Sequence, residues 1–539
     1  MIQKSKLIFI TIPLIFFICI ILFFAQKNNS TDSASKQEII TIGIPVTPYI
    51  QELSVNYYKE WLEKETGLTI HFILLPQEYT SEYLDQMFHS GNIPMDALFS
   101  FPYGNDVLSA NYKLQEYGEK GYILPLNDYI NQSTQMNQIF SDFKLYNLKK
   151  AMTSPNGNMY YMPGLDSSLE TECPQILWIN QRWLKELGLP IPRTLDEFTA
   201  DLRAFHEKDP NENGLQDEIP LAGSNDTTSE ESYNFLINSF LYNNPDNCRM
   251  NVQNGIVSFG PLTSEWRQSV QYLHDIYSEN LLDPFQFTLS HQQLIQLAND
   301  PRDLLGAFTS SSITEVLLPN SPEIMSNFVR VPPLEGPSGV RYAMIETPLP
   351  RPNGVITSSC KNPAAVFHLF EVMLSQDAFL IGRYGEENVD WSYAKPGDID
   401  IFGNKAVLRV KNQLHHKVQN KTLLELGPFF AYSNYTMGVA WNGVESDQEY
   451  INARAYSLYR QYRPSEYVKT LFLEGTEAPS LIQLQDKAET YTASSLQQFI
   501  QGELDPYNDA QWQTYLDRYQ AMGIDRLIDA TQRSYDSLE

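Results

Sequence analysis

The sequence predicts an α/β protein with more than one domain, and three observations carry that prediction. From residue 39 onward, strand-like apolar runs alternate with helical segments, the order expected of a parallel sheet covered by helices. A length of 539 residues exceeds what one hydrophobic core supports, and usual domain sizes give two or three domains. Residues 1–30 are a different material, strongly apolar and followed by a polar spacer.

In that first segment Lys4 and Lys6 precede Leu7 to Ala25, which is apolar apart from Thr11 and contains Pro13. As a helix this run can reach across a bilayer core of about 30 Å. It also exceeds the roughly 7–15 apolar residues of a signal peptide. Phe23 and Phe24 before Ala25 offer no small-residue cleavage site, and Cys19 follows Phe17 and Ile18 rather than the small residues of a lipoprotein signal. An uncleaved anchor over 1–27 therefore fits better than a removed signal, with the body on the outer face of the cell membrane. Lys4 and Lys6 would sit inside, and Lys27 on the other side weakens that bias. Residues 28–37, NNSTDSASKQ, read as a linker.

Ile39–Ile44 then reads as a buried strand, followed by a helix over 51–65 that stops at Gly67. Thr69–Leu75 is a second strand, 80–90 a helix, and a short strand follows Pro94. Ligand sites of such sheets lie at the carboxyl ends of strands, here Pro45–Tyr49 and Phe99–Tyr103. The turn NGNMYYMPG spans 156–164, and Ile176–Ile179 is a further strand. Thr194 with Glu197 forms a capping box before a helix over 195–207.

That helix delivers the chain into DPNENGLQDE, residues 209–218. Asp209, Asn211, Asn213, the Leu215 carbonyl, Asp217 and Glu218 supply oxygens, and Gly214 permits a sharp turn. Ca²⁺ takes six to eight oxygens at roughly 2.3–2.6 Å. Pro220 stands at the twelfth position, where an EF-hand needs Glu, so closure falls to Asp217 and Glu218. The same residue types also make ordinary solvated turns, and the loop alone leaves both readings open.

Thirty-eight basic against 65 acidic residues give a formal charge of −27. That balance argues against nucleic acid as a partner and disfavours a strongly anionic substrate, although a local basic patch can override it. Outside the first segment the cysteines are Cys173, Cys248 and Cys360. They form neither a disulfide framework nor the paired spacing of a zinc site. A Cys173–Cys248 bridge is open, and small buried side chains are the better reading.

The run Trp183–Pro190, then Thr194–Phe198, then Asp209–Asn211 through Ile219–Pro220 resembles the family 1 extracellular solute-binding proteins. Within them it is similar to the large lipoprotein-type subgroup of Gram-positive bacteria and to the alginate-binding proteins. Trp266–Asp283, VPPLEGPSG (331–339), CKNPAAVFHLFEVMLSQDA (360–378, similar to a lobe-crossing helix), GRYGEENVDW (382–391) and the last forty residues continue the match. The resemblance implies a periplasmic-binding-protein-like fold of two hinged α/β lobes, each discontinuous, with passages near 155–165, 335–345 and 400. Lobe 1 is expected over 38–155 and 340–400, lobe 2 over 156–339 and 401–539. It implies a structural calcium in the 209–218 loop, an oligosaccharide between the lobes, ABC permease subunits as partners, and a monomer.

Sugar sites combine aromatic faces with a few placed polar groups. Trp391 and Trp441 lie in glycine-flanked loops, which makes them candidates for the cleft. Tyr103, Tyr160 and Tyr161 follow strand or turn ends, and Trp178 lies on a strand near the hinge. Trp61, Trp183 and Trp266 have the spacing of helical core residues. His415 and His416 sit in a basic stretch without an acidic or thiol neighbour, so a solvated face is the better reading. No G-x-S-x-G, H-E-x-x-H or P-loop occurs, which disfavours an exported hydrolase. The remaining rival is a surface glycan-binding or sensor-coupled binding protein without its own transporter.

Overall fold

The computed structural model describes residues 38–537 apart from 77–80, 102–106, 143–146, 167–171, 319–321, 347–348, 415–416, 424, 444–447 and 469–476. The expected anchor, Tyr103 and the His415–His416 pair lie outside the described residues.

Two sheets organise the fold. The first has six strands, in the order Phe429–Phe430, Met162–Leu165, Arg351–Ile356, Ala97–Phe99, Ile39–Pro45, Thr69–Leu75. Its parallel heart pairs Ile39–Pro45 with Thr69–Leu75 on one side and with Ala97–Phe99 on the other. The strand Arg351–Ile356 runs antiparallel to both its neighbours. Central strands read as apolar runs because both faces are covered: Ile42, Ile44, Ala97, Leu98 and Phe99 have no exposed surface. The second sheet has four strands, in the order Phe328–Val331, Ile176–Asn180, Leu305–Ser310, Ile219–Leu221.

Each sheet has its own core. Residues from Ile40 to Leu165 pack with Val355–Ala378, Leu423 and Phe430, and residues from Cys173 to Ala343 pack with Ala455–Tyr535. A smaller cluster, including Phe379, Trp391, Leu408, Phe429 and Tyr435, extends the first body. Trp183 and Trp266 are fully buried in the second core, while Trp61 is half-buried against the first and stacks on Tyr58. The helix Leu195–Glu207 carries the expected capping box, with the Thr194 hydroxyl accepting from the Glu197 N–H and the Glu197 carboxylate accepting from the Thr194 N–H.

Several boundaries differ from the sequence expectation. The first helix runs Tyr57–Thr66 instead of starting at 51, because the Asn56 side chain accepts from the Tyr58 and Lys59 N–H groups and caps it there. The segment 360–378 is two helices, Pro363–Met373 and Gln376–Tyr384, bent by 70° at a break where Ser375 caps the second. Their buried faces stay with the first body, in its main core and the cluster that extends it, so neither crosses between bodies. The third change of body falls after Trp441 rather than near 400. Phe429–Phe430 completes the first sheet beside Gly164 and Leu165, and Asp400 and Leu408 bridge to Ala440 and Val439. All three cysteines outside the first segment are buried and free, and no Cys173–Cys248 bridge forms.

Candidate functional site

The chain passes between the two bodies three times, and these passages define the space where both can touch one ligand. The first leaves the strand Met162–Leu165 at Asp166 and reaches the second body at Glu172. The second runs from Ile345 to the strand Arg351–Ile356, and it is tied at both ends. The Ile345 carbonyl accepts from Asn244 Nδ2 at 2.8 Å and lies within hydrogen-bonding distance of the Tyr242 hydroxyl at 3.3 Å. The Pro350 carbonyl accepts from the Tyr161 hydroxyl at 3.4 Å. The third separates Trp441 from the helix Gln448–Tyr459, whose Ala455, Tyr456 and Tyr459 are in the second core.

The aromatic candidates fall into two groups. Tyr161, Trp178 and Trp391 are buried side chains. Tyr161 belongs to the first core and uses its hydroxyl on Pro350. Trp178 sits on the central strand Ile176–Asn180, opposite Phe308 and Arg330, and its indole N–H has no hydrogen-bond partner among the described residues. Trp391 donates from Nε1 to the Gly385 carbonyl at 2.9 Å and meets Tyr393 edge-on. Burial in a packed core leaves these rings no open face for a ligand. A glycine-flanked loop suggested exposure for Trp391, but the antiparallel pairing of Trp391–Tyr393 with Leu408–Val410 folds it inward.

Trp441 differs. It is half-exposed, held by its N–H donating to the Ile399 carbonyl at 2.9 Å. Its ring stacks on Tyr450 at 4.9 Å and 12° between planes. The Arg454 guanidinium lies 5.8 Å from the Tyr450 ring on the same helix. The stack therefore joins a ring from each body across the third passage.

Charged groups crowd the first two passages, and sequence reasoning missed them. Burial pushes the Glu346 carboxyl up to about 7, Asp246 and Asp166 adding to the shift and Arg351 opposing it. Asp246 is itself raised by burial, while the Thr228 hydroxyl and Arg249 pull it back. Glu425 is raised by burial, with Arg383 at 2.7 Å opposing. At the far end of the first passage Glu172 holds Arg463 at 2.8 Å and Arg460 at 3.4 Å. These acids are scattered over almost 260 positions, and no local pattern marks them. The strand pairing sets Arg351 opposite Gly164, two residues before Asp166.

The acidic loop joins the helix Leu195–Glu207 to the strand Ile219–Leu221. Asp209 folds it: its Oδ1 accepts from the Asn213 N–H at 3.1 Å and its Oδ2 from the Gly214 N–H at 2.8 Å. Asn211 Oδ1 and Asn213 Oδ1 accept from the N–H groups two residues on, and Asp217 Oδ1 accepts from Asn213 Nδ2 at 2.9 Å. Gly214 has φ +79°, a left-handed turn that glycine adopts without strain. Leu215 points its side chain outward, 60% exposed, which leaves its peptide to the loop.

Glu218 tests whether these residues fit a cation. Its side chain is buried, and neither carboxylate oxygen has a hydrogen-bond partner among the described residues. Burial raises its pKa and Asp209 and Asp217 add to the shift, while the nearby backbone N–H groups of Glu218 and Asp217 oppose it only in part. A buried carboxylate without a donor is costly unless a cation meets it. The cation seen near the loop, Arg302, reaches only to 3.9 Å from Asp217. No group of three or more carboxylate, imidazole and thiol side chains forms a metal site by itself among the described residues. A set at this loop needs the amide oxygens and the Leu215 carbonyl as well, and that donor chemistry suits Ca²⁺.

Comparison with known proteins bears on both features. A family model described as bacterial extracellular solute-binding protein matches residues 104–378. The fructooligosaccharide ABC transporter substrate-binding protein FusA of Streptococcus pneumoniae is 27% identical over 60% of this chain and 58% of its own length. The polygalacturonan/rhamnogalacturonan-binding protein YtcQ of Bacillus subtilis is 26% identical over 31% of this chain and 30% of its own. The chain thus spans less than two thirds of these relatives. Among solved structures, FusA in complex with kestose superposes with a TM-score of 0.73 at 22% identity, covering 93% of this chain and 99% of that one. A FusA EF-hand mutant bound to fructo-nystose gives 0.72 at 21%, over 93% and 99%. The alginate-binding protein AlgQ2 without calcium ion gives 0.66 at 18%, with 93% and 99% covered. At these identities the structural likeness establishes the two-lobed periplasmic-binding-protein-like fold.

Proposed function

Because the chain belongs to the family of bacterial extracellular solute-binding proteins, we propose that it captures an oligosaccharide between its two lobes and delivers it to an ABC importer. The observation that carries this reading is the architecture: two independently cored α/β bodies joined by three passages. Such a hinge closes when a ligand touches both bodies at once. The names of the relatives support the ligand class, since both FusA and YtcQ are glycan-binding proteins.

On this reading the protein is a binder and not an enzyme. Its partners are the sugar and permease subunits in the membrane, and it works as a monomer held at the outer face of the cell membrane. Trp441 is the aromatic that serves the ligand, because it alone of the described aromatic candidates is half-exposed beside a passage. The loop Asp209–Glu218 holds a structural Ca²⁺ that takes no part in capture. A FusA EF-hand mutant and a calcium-free AlgQ2 among the similar structures agree with such a site.

A thermal-shift panel of oligosaccharides tests the reading. A ligand at 100 times its Kd adds about 2.7 kcal/mol to folding stability, and Trp441→Ala should weaken that ligand about tenfold, roughly 1.4 kcal/mol. The variant's own melting should scarcely change, since half-exposed side chains contribute little to the core. Melting raised by peptides and by no sugar would reject the proposal.

A further inference from the structure

Beside the third passage the chain leaves positive charge unpaired, in a protein whose formal charge is −27. Other guanidinium groups near the passages have carboxylates: Arg383 holds Glu425 at 2.7 Å, Arg341 holds Glu335 at 3.1 Å, and Arg460 and Arg463 share Glu172. Arg330 and Arg454 differ. Neither has an ion-pair or hydrogen-bond partner among the described residues.

The backbone brings these two to the aromatic stack. Tyr459 seats the helix Gln448–Tyr459 on the second sheet, its hydroxyl accepting from the Leu177 N–H at 2.9 Å and donating to the Val331 carbonyl at 2.6 Å. Arg330 immediately precedes Val331 on an edge strand, opposite Trp178. Ala455, Tyr456 and Tyr459 enter the second core. At about 100° per residue, Tyr450 and Arg454 fall off that face and share another. There the Tyr450 ring stacks on Trp441, and the Arg454 guanidinium lies 5.8 Å from the same ring. Arg454 is exposed and Arg330 half-buried. Burial and the neighbouring Arg454 hold Arg330 below its usual range, with Tyr450 opposing. Like charges held together at a half-buried place cost stability, and such breaches of local rule are expected at functional sites.

We propose that Arg330 and Arg454 receive an anionic group, a carboxylate or a sulfate ester, on an oligosaccharide whose ring lies against Trp441. This deepens the interlobe capture proposed above and rests on it. A guanidinium offers a rigid planar fork of donors that pairs with such groups through two parallel bonds. The carboxylate of a uronic acid is bonded directly to its ring. A ring packed on Trp441 therefore brings the anion to the guanidinium groups beside it. Trp441 is held to Ile399 of the first body, while both arginines belong to the second, so one acidic sugar touches both lobes. The local patch overrides the acidic average of the surface.

The test is calorimetric titration of the full extracellular chain with oligogalacturonides, sulfated galactan oligosaccharides, and neutral fructo- and galacto-oligosaccharides of equal length. One anionic series should bind at least about tenfold tighter than any neutral one, and which of the two it is identifies the anion. Its affinity should fall as salt rises from about 50 to 500 mM. Arg454→Gln and Arg330→Gln should each weaken it about tenfold and flatten the salt response. Arg454→Gln should leave melting nearly unchanged, because the group is exposed and unpaired, and it keeps the test readable if Arg330→Gln fails to fold. A neutral series binding as tightly as the best anionic one, or anionic binding unaltered by Arg454→Gln, would overturn this inference and leave capture standing. Binding of neither class would overturn both.

Discussion

Arg249→Ala should destabilise the second lobe by about 3 kcal/mol, within the range for removing one partner of a buried ion pair. Arg249 is 4% exposed. Its Nη1 donates to Asn234 Oδ1 at 3.3 Å and to Asn243 Oδ1 at 3.1 Å, and Glu489 lies 3.6 Å from Nε. The Trp266 ring is 5.6 Å away. Burial raises the carboxyl groups of both Glu231 and Glu489, and Arg249 opposes it in each case. Alanine would therefore leave two carboxylates facing a cavity without a cation. Chemical denaturation measures the loss, and Glu489→Gln added to Arg249→Ala should restore part of it, because members of one network are not additive. Asn243 and Asn244 follow one another beside this network, and Asn244 holds Ile345. The same change should therefore also loosen the second passage.

Calcium removal is the second large effect. Excess chelator should cost about 2.7 kcal/mol if the ion is normally at 100 times its Kd, and lower the melting temperature by roughly 5 °C. Asp209→Ala should melt at the same temperature with and without chelator. Asp209 also folds the loop through its bonds to Asn213 and Gly214, so this variant carries a cost of its own. Glu218→Gln separates the two effects. It should abolish the chelator response yet melt no lower than the chelated parent, because it removes an unpaired buried charge. Equal melting of the parent with and without chelator would return the loop to an ordinary turn.

The parts of the fold legible in the sequence were those written locally. Thr194 and Glu197 cap their helix as the spacing requires, and Ile39–Pro45 reads as a buried strand because helices cover both faces of a parallel sheet and leave its strands apolar. The acidic loop was legible for the same reason, its oxygens lying close together along the chain. Less legible was anything decided by long-range pairing. Phe429–Phe430 is two residues long, too short for any periodic signal, yet it keeps residues 401–441 with the first body. Trp391 looked exposed from its glycines, and only the strand at Leu408–Val410 shows why it is not. The cleft was least legible of all. Glu346 is an ordinary acid in sequence, and the charges that act on it, Asp246, Arg351 and Asp166, come from separate stretches of chain.

Small-angle X-ray scattering of the extracellular chain, with and without a saturating oligosaccharide found by thermal shift, tests the central claim most directly. Capture between two hinged lobes predicts a smaller radius of gyration in the bound state, and Trp441→Ala should need more sugar to reach it. An unchanged radius at full saturation would contradict the account, because the ligand would then be held by one lobe alone.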